Sequence, residues 1–173
     1  ITMDLKEIDN LVLVIGKTEG HIDQSLFART ILDEKNGPPP EVNLFNEKNN
    51  GESLLDLIDK NYIKSAHDIS LGGLITALSK MCIKGNKGIK LNKSKNLINE
   101  IEYFFAEDQG RYLIEINPKN FDEVTNILNK NSVHYEKLGT IIEKEMIIND
   151  KTKVTIDELK SYNTSWLNNF MSS

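Results

Sequence analysis

The apolar positions of this chain follow two spacings, and the switches between them mark out its elements. Leu11 to Ile15 is an unbroken apolar run, the mark of a strand buried on both faces. Gly16 and Gly20 then bracket a loop. A helix capped by Ser25 or Asp23 follows to Leu32, with Leu26, Phe27, Ile31 and Leu32 turned toward the core. Gly37-Pro38-Pro39-Pro40 is a hard break, read as a rigid extended connector into Val42-Asn43-Leu44. Helical spacing returns from Glu47 to Tyr62, with Leu54, Leu55, Ile58 and Tyr62 on one side.

The next stretch, SAHDISLGGLITALSKMC, organises the rest. A short buried strand (Ile63 to Ala66) leads to a polar turn at His67, Asp68 and Ser70, then to Gly72-Gly73 and a helix. Leu74, Ile75, Ala77, Leu78, Met81 and Cys82 share one helical face, and Ser70 stands where an N-cap would. The start of such a helix gathers unpaired N–H groups, so it can hold an anion. The competing reading is that the two glycines only allow tight packing.

Past a polar turn at Lys84 to Lys87, Ile89 and Leu91 alternate as a short strand. Asn96 to Phe105 is read as helical, with Leu97, Ile98, Ile101, Phe104 and Phe105 in register. A turn at Gly110 precedes a strand from Tyr112 to Ile116. Pro118 and Asn120 open a helix with Phe121, Val124, Ile127 and Leu128 inward. Val133–Ile142, Glu145–Ile148 and Lys153–Ile156 are strand-like. Asp157 to Met171 closes the chain as a helix carrying Leu159, Tyr162, Trp166, Leu167 and Phe170, with Trp166 read as its packing anchor. Strands interleave with helices, yet the later strands are joined by turns. The expected class is therefore α+β, one domain over residues 1–173 with a mixed sheet covered by helices.

At 173 residues the chain can bury one core, and 27% charged against 39% apolar residues is ordinary for a soluble globular protein. The net charge of −5 argues against nucleic acid as a partner, and no apolar run is long enough to span a membrane. A lone Cys82 on a buried helix face fits a reducing, cytoplasmic setting and reads as a small hydrophobe rather than a nucleophile. His21, His67 and His134 lack the spacing of a zinc site, so no metal is assigned to the chain itself. Only Arg29 and Arg111 carry guanidinium among 21 basic residues, which marks them as candidates for bidentate contacts.

Two loops hold candidate chemistry. Glu107, Asp108, Gln109 and Arg111 crowd one turn, where acids can hold a metal or hydroxyl, Gln an amide-like group and Arg a phosphate. The alternative is a solvated turn before a strand. His67-Asp68 has the composition of an acid–base pair, although neighbours on an extended segment point to opposite faces. No Ser–His–Asp set or nucleophile elbow is present, and no catalytic residue is assigned.

HDISLGGLITALSKM closely resembles the His-Asp-x-Ser-x-Gly-Gly-Leu segment of the C-terminal domain in the PurM/PurL-like ATP-binding enzymes. Within that superfamily, VIGKTEGHIDQSLFARTIL, GPPPEVNL, AEDQGRYL, LGTI and the Trp-Leu…Phe-Met ending together resemble the formylglycinamide ribonucleotide amidotransferases. The resemblance runs in order along essentially the whole chain. Lys17, Asp23 and Ala106 depart from the usual residues, which leaves the roles of those loops open.

The resemblance implies an α/β/α-layered C-terminal domain related to aminoimidazole ribonucleotide (AIR) synthetase, cut from a longer enzyme of purine biosynthesis. That enzyme uses ATP, Mg²⁺ and glutamine-derived ammonia. Its expected partners are its own N-terminal domains, a glutaminase subunit and a small PurS-like subunit. His67, Asp68, Ser70, Gly72, Gly73, Glu107, Asp108, Gln109 and Arg111 are the substrate- or nucleotide-binding positions it points to. The isolated fragment is expected to be inactive. The alternatives are another member of the superfamily, such as AIR synthetase or selenophosphate synthetase, or a non-catalytic interaction module.

Overall fold

Seven strands form one mixed sheet in a computed structural model that describes residues 1–92 and 99–172. The strands are β1 (Leu11–Ile15), β2 (Ile63–Ile69), β3 (Gly88–Leu91), β4 (Arg111–Ile116), β5 (Tyr135–Ile142), β6 (Glu145–Ile148) and β7 (Thr152–Thr155). Their order across the sheet is β2-β4-β1-β5-β3-β6-β7. Every neighbouring pair is antiparallel except β3 with β6. The helices are α1 (Leu26–Thr30), α2 (Leu44–Asp59), α3 (Gly73–Gly85), α4 (Glu100–Phe105), α5 (Phe121–Lys130) and α6 (Ile156–Met171).

Strand alternation explains the layering. On β1, Val12 and Val14 face one core with Leu74, Leu78, Met81 and Cys82 of α3, Tyr103 and Phe104 of α4, and Ile156 of α6. Leu11, Leu13 and Ile15 face the other core with Leu57 of α2 and Val124 and Leu128 of α5. All five residues of β1 are buried, as a central strand covered on both sides must be. The expected α+β class with a helix-covered mixed sheet is the fold observed.

A buried carboxylate ties the N-terminal segment to this sheet. Glu115 of β4 accepts from the N–H groups of Lys6 and Glu7 at 2.8 and 3.0 Å, the Asn10 amide at 2.7 Å and the Ser65 hydroxyl at 3.0 Å. Four donors on one carboxylate offset the desolvation that burial imposes.

Several local expectations are corrected. β2 continues through His67 and Asp68, so these residues are on a strand and not in a turn. Pairing with β4 as far as Ile69–Arg111 supplies the ladder that carries the strand on. Ser70 is not the cap of α3; Gly72 holds that place at φ +85°, with the Ser70 carbonyl accepting from Gly73 N–H at 2.9 Å. α3 extends into the expected polar turn as far as Gly85, and Asn86 ends it in a left-handed cap. α1 stops at Thr30, and Ile31 and Leu32 are exposed, because Ala28 alone fills the inward position.

In α2, Leu57 is buried and Leu55 faces outward. The helix also begins three residues earlier than expected, at Leu44, on an Asn43 cap. The expected helix over 96–105 is described from Glu100, capped by Asn99; its Asn96, Leu97 and Ile98 lie outside the described residues. The C-terminal helix forms as expected, but Trp166 is exposed and anchors nothing in the core.

Candidate functional site

The turn after α4 converts a run of acids and one arginine into an internal brace. Asp108 is buried and its carboxylate accepts from three successive N–H groups, those of Glu19, Gly20 and His21, at 3.0 to 3.1 Å. Three consecutive amides aimed at one point form an anion nest, and here the chain fills it with its own carboxylate. Glu107 does the same for two helix starts. Its Oε1 accepts from Leu26 N–H of α1 at 2.7 Å and Gly72 N–H before α3 at 2.8 Å. The opening of α3, where sequence left an anion site and tight packing both open, receives a carboxylate from within the domain.

Arg111 completes the brace from beneath. It is 1% exposed, and its fork donates to the Asp108 carbonyl (3.2 Å), Thr18 Oγ1 (2.9 Å) and the Ala106 carbonyl (2.7 Å). Burial pulls the guanidinium below its ordinary range, and the neighbouring Asp108 opposes that shift. Gln109 is the exception in this turn. It is exposed, and its amide donates to the Glu107 carbonyl at 3.4 Å.

The glycines at the head of α3 serve close approach. A Cβ on Gly73 would lie 2.7 Å from the Ala106 carbonyl oxygen and 2.8 Å from that of Phe104, and the residue sits at φ +70°. The end of α4 is therefore pressed against the start of α3, which places Glu107 within reach of Gly72.

Beside this brace lies a polar cleft of about 600 Å³. Gly16, Lys17, Glu19, Gly20 and His21 form one wall, and Asn43, Asn46, Glu47 and Asn50 of the α2 end form another. Asp108 and Gln109 also line it, with Pro40, Glu41, Ser132 and His134 completing the lining. Asn50 donates to the Gly110 carbonyl at 2.8 Å. His21 Nε2 meets the Pro38 carbonyl at 3.0 Å, so the Pro-rich connector packs back onto the Gly-flanked loop. Lys17 pairs with Glu19 at 2.9 Å, and that hydrogen bond raises its ammonium pKa.

His67 and Asp68 do meet, through Nδ1 and Oδ1 at 3.0 Å. The His67 Nε2 is buried with no hydrogen-bond partner among the described residues. These two residues and Ser70 do not line the cleft. Burial first, then the carboxylates of Glu47 and Asp68, raise the pKa of Tyr112.

Of the residues singled out in the sequence, Asp108, Gln109 and His21 line this cleft; Asn43, Asn46, Glu47 and Asn50 line it without having been singled out. Their signal was the polar crowding of NLFNEKNNGE at the head of α2. Arg29, the second candidate for a bidentate contact, is exposed and donates to the Ser25 carbonyl of its own helix at 3.4 Å. Among the described residues, no group of three or more His, Cys, Asp or Glu side chains is placed to hold a metal ion. No helix among them is long and apolar enough to cross a membrane.

Residues 7–150 match the family described as "AIR synthase related protein, C-terminal domain", and the chain belongs to that family. It is 67% identical over 171 residues to the phosphoribosylformylglycinamidine synthase subunit PurL of Pelagibacter ubique, covering 99% of this chain and 23% of that protein. The same subunit of Bartonella bacilliformis is 35% identical over the same shares. The chain thus spans under a quarter of the length of these curated relatives. In structure it is similar to Thermotoga maritima PurL complexed with FGAR, with a TM-score of 0.75 at 18% identity over 92% of this chain and 29% of that one. Escherichia coli HypE, a hydrogenase maturation protein, gives a TM-score of 0.63 at 16% identity over 88% and 50%. These likenesses show a shared fold.

Proposed function

We propose that this chain works as the C-terminal domain of the synthetase subunit of phosphoribosylformylglycinamidine synthase. The observation that carries the reading is the 67% identity along 99% of the chain to one contiguous portion of such a subunit. In the reaction, ATP phosphorylates the amide oxygen of formylglycinamide ribonucleotide. Ammonia released from glutamine then displaces that phosphate, giving the formylglycinamidine, ADP and inorganic phosphate.

This chain's part is to shape a wall of the site and not to break bonds. Among the described residues the cleft lining shows no hydrogen-bonded nucleophile–base pair, and Glu107 Oε1, the Asp108 carboxylate and the Arg111 guanidinium are engaged by the domain's own backbone and the Thr18 hydroxyl. Gln109, His21, His134 and Lys17 are the side chains placed to meet a ligand entering the cleft, with the brace fixing where they stand. His67, Asp68 and Ser70 form a second polar edge at the end of β2, ahead of the Gly72-Gly73 junction. ATP contributes the phosphoryl group. A Mg²⁺ would arrive on the nucleotide phosphates and draw its ligands from the enzyme's other domains. The remaining partners are a glutaminase subunit and a small PurS-like subunit, in the cytoplasm.

Complementation tests the reading. A purine auxotroph lacking this synthase activity should grow without added purine when given the full-length subunit with its glutaminase and small partners. The isolated chain should not rescue it. Rescue by the isolated chain, or none by the full set when all are expressed and folded, would overturn it.

A further inference from the structure

Helix α6 changes character after its first turns. Its start is locked by reciprocal capping: Thr155 donates to Glu158 Oε2 from N–H (2.8 Å) and hydroxyl (2.7 Å), and Glu158 N–H returns a bond to Thr155 Oγ1 at 3.2 Å. Ile156 and Leu159 enter the core beside α3, and Lys160 Nζ donates to Asn86 Oδ1 at the end of that helix. Beyond this point the apolar positions continue as Tyr162, Trp166, Leu167, Phe170 and Met171, which are 78, 67, 53, 65 and 76% exposed. Tyr162, Trp166 and Phe170 recur every fourth residue, so they form one stripe along the helix. Trp166 and Phe170 stack with ring centroids 5.7 Å apart and planes 12° apart, which makes a flat aromatic plate. From Ser161 onward the sequence has no charged residue. Aromatic enrichment with charge depletion is the composition of an interface centre, and an apolar patch of several hundred Å² is often functional.

We propose that this face of α6 docks onto an apolar surface of the same polypeptide, outside residues 1–173. The proposal rests on the reading that the chain is one domain of a longer synthase subunit. Size argues for that occupant over a second copy. At about 150–250 Å² per aromatic side chain, Tyr162, Trp166 and Phe170 at these exposures offer roughly 300–500 Å², and Leu167 and Met171 leave the face short of the ~800 Å² per partner in a standard free-standing interface. A covalently attached surface needs less area, because tethering holds it at an effective concentration on the order of millimolar. The curated relatives carry more than three quarters of their length beyond the portion this chain matches, enough to supply such a surface.

Hydrogen–deuterium exchange on the full-length polypeptide tests this, comparing wild type with Trp166→Asp. The expected result is that amides 161–171 exchange about 100-fold faster in the variant, while one segment outside residues 1–173 loses protection with them. Amides of β1 report the fold; should Trp166→Asp disturb them, Trp166→Gln takes its place. Equal exchange in wild type and variant would overturn the proposal. So would protection that disappears on dilution together with a dimer seen in sedimentation, which would assign the face to a second copy. Formylglycinamide ribonucleotide turnover measured on the same wild-type sample reports separately on the functional reading.

Discussion

Glu107 Oε1 accepts the Gly72 N–H at 2.8 Å, so the opening of the central helix is closed by a carboxylate from the far side of α4. The same oxygen takes the Leu26 N–H at 2.7 Å, and one side chain thus caps two helix starts. Replacing Glu107 with Ala orphans both donors. The expected loss is about 2–4 kcal/mol in urea unfolding, and Glu107→Gln, which keeps a neutral acceptor, should lose less than half of that. An unchanged midpoint in Glu107→Ala would remove the brace from the account.

Arg111 serves three acceptors in fixed directions, and Lys cannot reproduce a planar fork. Arg111→Lys should cost about 3 kcal/mol, and Arg111→Met at least as much, because either change leaves buried acceptors unmet. Chemical denaturation of the two variants checks this. Equal stability of Arg111→Lys and wild type would mean that charge alone matters.

Gly73→Ala adds a carbon 2.7 Å from a backbone oxygen at a positive φ. A loss of about 2–4 kcal/mol is expected from strain and displaced backbone together. Since Gly73 supports the α4–α3 junction, the exchange protection of Leu26 and Gly72 amides should fall with it. A tolerated alanine there would show that the junction yields.

Burial pushes the Cys82 thiol from its ordinary 9.0 up to about 12. Because the folded value is the higher one, its contribution to stability is complete below pH 9 and is lost as pH rises from there toward 12. Native protein at pH 8 should resist iodoacetamide, and the thiol should react on unfolding in urea. A Cys82→Ala variant should show a smaller alkaline fall in stability than wild type. Rapid labelling of the native thiol would contradict the packing of α3.

Much of the fold was legible because its signals are strong and local. Leu11–Ile15 reads as a buried strand from composition alone, and the α3 face from Leu74 to Cys82 follows helical spacing without a gap. The misses occur where tertiary contacts decide. His67 and Asp68 join β2 because β4 offers a ladder as far as Arg111, which nothing in residues 63–70 encodes. Trp166 looks like a core anchor in any single-chain reading, since sequence shows an amphipathic face but not what lies opposite it.

At the candidate site, the acidic turn was visible but its direction was not. A run such as Glu-Asp-Gln-x-Arg reads equally as ligand-facing or as solvated. Its actual targets, the amides of residues 19–21, 26 and 72, lie 35 to 89 positions away along the chain. The cleft wall from α2 was hidden for a related reason: Asn43, Asn46 and Asn50 have ordinary roles in helix capping and polar surfaces, and only the fold brings them opposite Lys17 and His21.

The most direct test of the central claim is a label-transfer assay on the full-length subunit. The substrate is formylglycinamide ribonucleotide with ¹⁸O in its amide oxygen, given with Mg-ATP and ammonia. Transfer of the label into inorganic phosphate, one atom per formylglycinamidine formed, is the predicted result, with no turnover by the isolated chain. Consumption of ATP without label in phosphate, or no reaction with this substrate by the folded full-length protein, would contradict the account.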